Sequence, residues 1–110
     1  MGISTHILDT ARGKPADGVI VTLERQHGEH WDRIGGGTTD PDGRVKALLV
    51  GAPAQGVYRV RFGVGPYFER HVVEAFYSNV SVEFIVRSES EHYHVPLLLN
   101  PFGFSTYRGS

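Results

Sequence analysis

An all-β antiparallel β-sandwich of seven to eight strands with one short helix is the fold this sequence predicts. Two observations carry the prediction. Apolar and polar residues alternate at period two through most of the chain, as in half-buried strands. Turn signals rich in Gly, Pro and Asp separate these runs at short intervals, the spacing of a sandwich rather than of helix–strand units.

Ile3 to Asp9 reads as a first strand, closed by an Ala-Arg-Gly-Lys-Pro turn region. Val19 to Arg25 sets Val19, Val21 and Leu23 against Ile20, Thr22 and Glu24, and Trp31 to Thr38 is its expected hairpin partner. Asp40-Pro-Asp-Gly43 is a turn, with proline setting φ and glycine supplying the positive-φ position. Val57 to Phe62 alternates again, and Pro66 to His71 reads as one short helical turn with proline in its first turn. Val80 to Arg87, His92 to Leu99 and Phe104 to Arg108 complete the strands. Gly35-Gly36-Gly37 follows a strand but precedes no helix pattern, so it is not read as a phosphate loop.

At 110 residues the chain is expected to be one domain, 1–110, large enough for a core of its own. It has no cysteine, which excludes disulfides and thiolate metal sites. Eleven basic and twelve acidic residues are spread along it, arguing against a nucleic-acid or membrane-surface role driven by bulk charge. No apolar run has the length of a membrane span, and the N-terminus shows no basic, apolar leader, so a cytoplasmic location is expected.

Six histidines carry most of the functional argument. Side chains on a strand alternate faces, so His92 and His94 share one face while Tyr93, Val95 and Leu97 share the other. His6 shares a face with Ser4 and Leu8, and Ile7 points inward. His6 and His94 thus face out of the sandwich on otherwise apolar strands. Arg44 follows the Asp-Pro-Asp-Gly turn, where a side chain can reach a cleft. His27, His30 and His71 sit in polar or loop contexts and read as surface histidines. His92-x-His94 with His6 is also compatible with a three-histidine zinc site, although no carboxylate partner stands out. The terminal segment stays aromatic and β-prone to its last residues, which argues that the tail is built into the fold.

Ser4-Thr5-His6-Ile7-Leu8-Asp9, Asp42-Gly43-Arg44, and His92-Tyr93-His94-Val95-Pro96-Leu97-Leu98-Leu99 running to Tyr107-Arg108-Gly109-Ser110 resemble the transthyretin-related family of 5-hydroxyisourate hydrolases. The resemblance runs from about residue 3 to residue 110, and the terminal tetrapeptide is its most specific motif. It implies a transthyretin-like (prealbumin-like) sandwich, a homotetramer built as a dimer of dimers, and active sites in the channel between dimers. Carried over position by position, the catalytic residues fall on His6, Arg44 and His94, and the substrate-binding residues on His6, Arg44, Tyr107, Arg108 and Ser110. Two departures stand out: Asn100 where serine is usual, and a loose match over Gly63 to Ser78.

The implied reaction is hydrolytic opening of 5-hydroxyisourate between N1 and C6, giving 2-oxo-4-hydroxy-4-carboxy-5-ureidoimidazoline, with no metal or other cofactor. Histidine suits water activation near neutral pH. Arg44 stays charged, so it serves oxyanion charge, ring carbonyls or the neutrality of a nearby histidine. Both His6 and His94 are candidates for taking the proton. The rival expectations are a transthyretin-like small-ligand carrier without catalysis and a structural sandwich in which Leu8 and Leu98 are buried by oligomerisation.

Overall fold

The computed structural model describes residues 2–110. Two sheets face each other. The first holds β1 (Gly2–Asp9), β2 (Lys14–Pro15), β8 (His92–Asn100) and β9 (Gly103–Thr106) in the order β2-β1-β8-β9, with β5 (Arg44–Val45) also paired to β1. The second holds β3 (Ile20–His27), β4 (His30–Thr38), β6 (Gly56–Phe62) and β7 (Val80–Val86) in the order β4-β3-β6-β7. Among the described residues a single helix, α1 (Val64–Arg70), follows β6 and starts two residues ahead of Pro66.

The alternation has the energetic reading expected of it. Ile3, Ile7, Val21, Leu23, Val60, Phe62, Leu97 and Leu99 are completely buried between the sheets. Removing one such side chain beyond Cβ costs about 2–5 kcal/mol, from lost transfer energy and the cavity left behind. Ile20, in contrast, is 60% exposed, as its opposite phase requires.

Three details differ from the sequence reading. The sandwich is not wholly antiparallel: β1 and β8 run parallel, Ser4 opposite His94 and Leu8 opposite Leu98. Most of the chain lies between these two strands, and parallel neighbours need such a long connection. Lys14–Pro15, read as turn, is a two-residue strand against Leu8 and Asp9, because Gly13 at φ 66 reverses the chain tightly enough to pair it. With the equally short β5, the strands among the described residues number nine rather than seven or eight. The last strand ends at Thr106, and beyond it Gly109 makes an isolated bridge to His94.

The triple glycine has a packing role. A Cβ on Gly35 would lie 1.8 Å from the Leu48 carbonyl oxygen, and one on Gly37 would lie 2.9 Å from Val45 Cγ1. Only a bare backbone lets segment 45–48 cross β4 at this distance. That crossing brings β5, and Arg44 with it, against β1.

Candidate active site

The register of the first sheet assembles the site. β5 pairs His6 with Arg44, and β1 pairs Ser4 with His94, so residues far apart in sequence meet on the outer face. Arg44 is set by its turn. Gly43 adopts φ 76, and the Asp40 carboxylate accepts the backbone N–H groups of Asp42 (2.9 Å) and Arg44 (3.0 Å). These bonds, the one from Arg44 first, hold the Asp40 carboxyl below the ordinary carboxylate range.

A cavity of about 300 Å³ opens here, lined by Ser4, Thr5, Arg44, Lys46, His92, His94 and Ser110. Its floor is buried Ser4 and Thr5, and its walls are cationic or titratable. The Thr5 hydroxyl is turned away, donating to the Val95 carbonyl at 2.6 Å. The Ser4 hydroxyl lies 2.8 Å from His94 Nδ1 and 2.7 Å from His92 Nε2. His94 is half-buried, and its proton affinity is pushed below the ordinary histidine value, first by burial and then by the charges of Arg44, His6 and His92. A neutral imidazole beside a fixed guanidinium is an arrangement that can accept a proton from water while anionic charge forms nearby.

The tail closes over this site. Gly109 N–H donates to the His94 carbonyl at 2.9 Å, and Ser110 enters the cavity wall. Tyr107 and Arg108 do not line this cavity. They border an adjoining groove with Val82 to Ile85, Tyr93 and Val95, and His94 touches both spaces. Arg108 is engaged by the protein: it reaches Glu91 Oε1 at 3.2 Å and the His92 carbonyl at 3.4 Å, and stacks over Tyr93 at 4.7 Å. Tyr107 stays exposed.

Of the residues selected from sequence, Arg44, His94 and Ser110 line this cavity, whereas His6 is not among its lining residues and is paired with Arg44 across the strands. The sequence reading misses Ser4 and Lys46 and takes His92 only as a zinc-ligand candidate, although alternation places Lys46 in phase with Arg44 and His92 in phase with His94. Ser4 needed the parallel register to bring it against His94. For the zinc reading, the Ser4 hydroxyl occupies one ring nitrogen of each of His92 and His94. Among the described residues no three His, Cys, Asp or Glu side chains stand together as a metal set.

The chain is similar to known proteins over nearly its whole length. The HIUase/Transthyretin family matches residues 3–109. A 5-hydroxyisourate hydrolase of Salmonella dublin is 50% identical over 109 residues, covering 98% of this chain and 80% of the relative. The structure of Klebsiella pneumoniae 5-hydroxyisourate hydrolase superposes with a TM-score of 0.89 at 33% identity, covering all of both chains. Sea bream transthyretin in complex with thyroxine superposes with a TM-score of 0.93 at 29% identity, covering 99% of this chain and 95% of that one.

Proposed function

The chain belongs to the HIUase/Transthyretin family, and we propose that it is the hydrolase of that pair, opening 5-hydroxyisourate by water attack. Relatives of that activity at 50% and 46% identity over nearly the whole chain support this reading. The fold likeness to a thyroxine-bound transthyretin does not decide the matter, since one sandwich serves both a carrier and an enzyme. The single observation that favours catalysis is the cavity in which His94, held neutral, shares a wall with Arg44.

The bond broken is an acyl C–N bond in a planar ring. Water adds to the C6 carbonyl as His94 takes its proton, and the tetrahedral oxyanion forms within reach of Arg44. His94 then returns the proton to N1 as the C6–N1 bond breaks, and the product leaves as a carboxylate. His6, paired with Arg44 across the strands, helps hold the ring and disfavours a cation at His94. Ser110 contacts the substrate at the cavity mouth. Tyr107 and Arg108 complete substrate binding from the neighbouring groove once copies of the chain meet. No resident metal takes part.

The site is open on one side in the single chain. Leu8 and Leu98, half-buried on the same outer face, are covered when the chain assembles as a homotetramer, a dimer of dimers with the sites in the channel between dimers. The whole chain serves as one hydrolase domain, working in the cytoplasm. Alanine at His6, Arg44 or His94 is expected to lower turnover by about 10²-fold or more, the usual scale for a general base or oxyanion donor. Near-wild-type turnover in any one variant removes that residue from the mechanism.

A further inference from the structure

The contact with the most unused chemistry is the hydroxyl of Ser4, held between two imidazoles. Ser4 is buried on β1, and its oxygen bridges His94 Nδ1 at 2.8 Å and His92 Nε2 at 2.7 Å. A hydroxyl has one proton, so it can donate to only one of the two rings. If it donated to His94, Nδ1 would be the unprotonated nitrogen and Nε2 would carry the hydrogen. The base lone pair would then be spent on serine. In the opposite direction His94 Nδ1–H donates to Ser4, Ser4 O–H donates to His92 Nε2, and His94 Nε2 is left with a lone pair.

We propose that Ser4 and His92 are positioning residues: the chain His94–Ser4–His92 fixes the tautomer of His94 and draws off the proton that His94 takes from water. The inference rests on the reading of His94 as the proton acceptor. The step balances. As water loses a proton to His94 Nε2, the Nδ1 proton passes to Ser4 Oγ and the Ser4 proton passes to His92 Nε2. The positive charge moves from a half-buried ring to an exposed one, where water solvates it better. When N1 leaves, the three transfers reverse, so one proton moves in net from water to the leaving nitrogen. The other groups facing His94 make this relocation favourable: Arg44 on β5 and His6 on β1 both disfavour a cation at His94. Lys46 adds cationic charge to the cavity wall, and Ser110 lines its edge.

Two measurements test the chain, one without turnover. Nitrogen-15 NMR of the wild-type protein reads the His94 tautomer directly. The proposal requires the Nδ1–H form, and the Nε2–H form as the dominant species overturns it. Steady-state kinetics on Ser4→Ala, Ser4→Thr and His92→Gln then read the proton path. Ser4→Ala is expected to lower kcat about 10- to 100-fold with KM nearly unchanged, and Ser4→Thr, which keeps the hydroxyl, to restore most of it. His92→Gln can still accept from Ser4 through its amide oxygen but cannot take a proton. It is expected to keep the tautomer and to turn the curved dependence of kcat on deuterium fraction into a straight line. Unchanged kcat and an unchanged isotope dependence in folded Ser4→Ala overturn the proposal. Absence of wild-type turnover instead overturns the hydrolase reading and the proton relay with it, while the NMR result still judges the tautomer.

Discussion

The backbone of Gly109 lies directly against the imidazole of His94: a Cβ built on Gly109 would sit 2.5 Å from His94 Cδ2 and 3.2 Å from Pro96 Cγ. The glycine of the terminal tetrapeptide is therefore a steric requirement. It lets the tail bridge to His94 and set Ser110 at the cavity. Gly109→Ala should displace either the tail or the ring. Because a small misplacement of a reacting group can cost up to about 10²-fold, kcat/KM is expected to fall at least tenfold. The melting temperature should change little, since Tyr107 and Ser110 are exposed. Comparing turnover and thermal unfolding of this variant separates the two effects.

Arg44 should act on His94 through its charge as well as on substrate. Its guanidinium lowers the proton affinity of His94, second only to burial. In Arg44→Met the acid limb of kcat/KM should move to higher pH, toward the ordinary histidine value. In Arg44→Lys the charge remains and the limb should stay in place, while the bidentate donor geometry and much of the rate are lost. An NMR titration of His94 in both variants checks the assignment without relying on residual activity.

Stability should depend on the same histidine. His94 in the folded chain holds its proton less tightly than in the unfolded chain, whose ordinary value is 6.5. Between that value and the lowered one, the unfolded chain binds the extra proton. Stability therefore rises with pH through this window and is lost as pH falls through it. Thermal unfolding of wild type and His94→Asn from about pH 7 to about pH 5 should show a smaller acid loss in the variant. Equal losses would contradict the assignment.

The end of α1 stores strain remote from the site. Val73 N–H bonds the Phe68 carbonyl and Val72 N–H bonds that of Glu69, both at 3.0 Å, a helix C-terminus with Val72 at the left-handed position. A β-branched residue at φ 55 is unfavourable there, and Val72 is 92% exposed, so no packing compensates. Val72→Gly is expected to stabilise the chain by about 1 kcal/mol. The corresponding rise in melting temperature is about 4 °C or more, with turnover unchanged.

Local alternation made most of this structure legible. Val19, Val21 and Leu23 against Ile20 declared their faces, and so did Ile7 against His6. Asp40 to Gly43 declared their turn. Alternation carries no information about which strands pair over a long separation, so the parallel register of β1 and β8 was not visible, nor was the place of Ser4 between two histidines. The same limit hid the purpose of Gly35 to Gly37, which depends on Val45 and Leu48 crossing above them. The resemblance supplied the candidate residues, and the register supplies their geometry. For Tyr107 and Arg108 the single chain shows a neighbouring groove, and the shared channel of a tetramer is the proposed place where they meet substrate.

The most direct test is the ultraviolet absorbance decay of freshly generated 5-hydroxyisourate, produced by uricase, with and without this protein. Arg44→Ala and a chelator-treated sample run alongside. The account predicts decay well above the spontaneous rate, abolished by the substitution and unaffected by the chelator. Decay at the spontaneous rate from folded, tetrameric protein would contradict it and would leave a transthyretin-like binder.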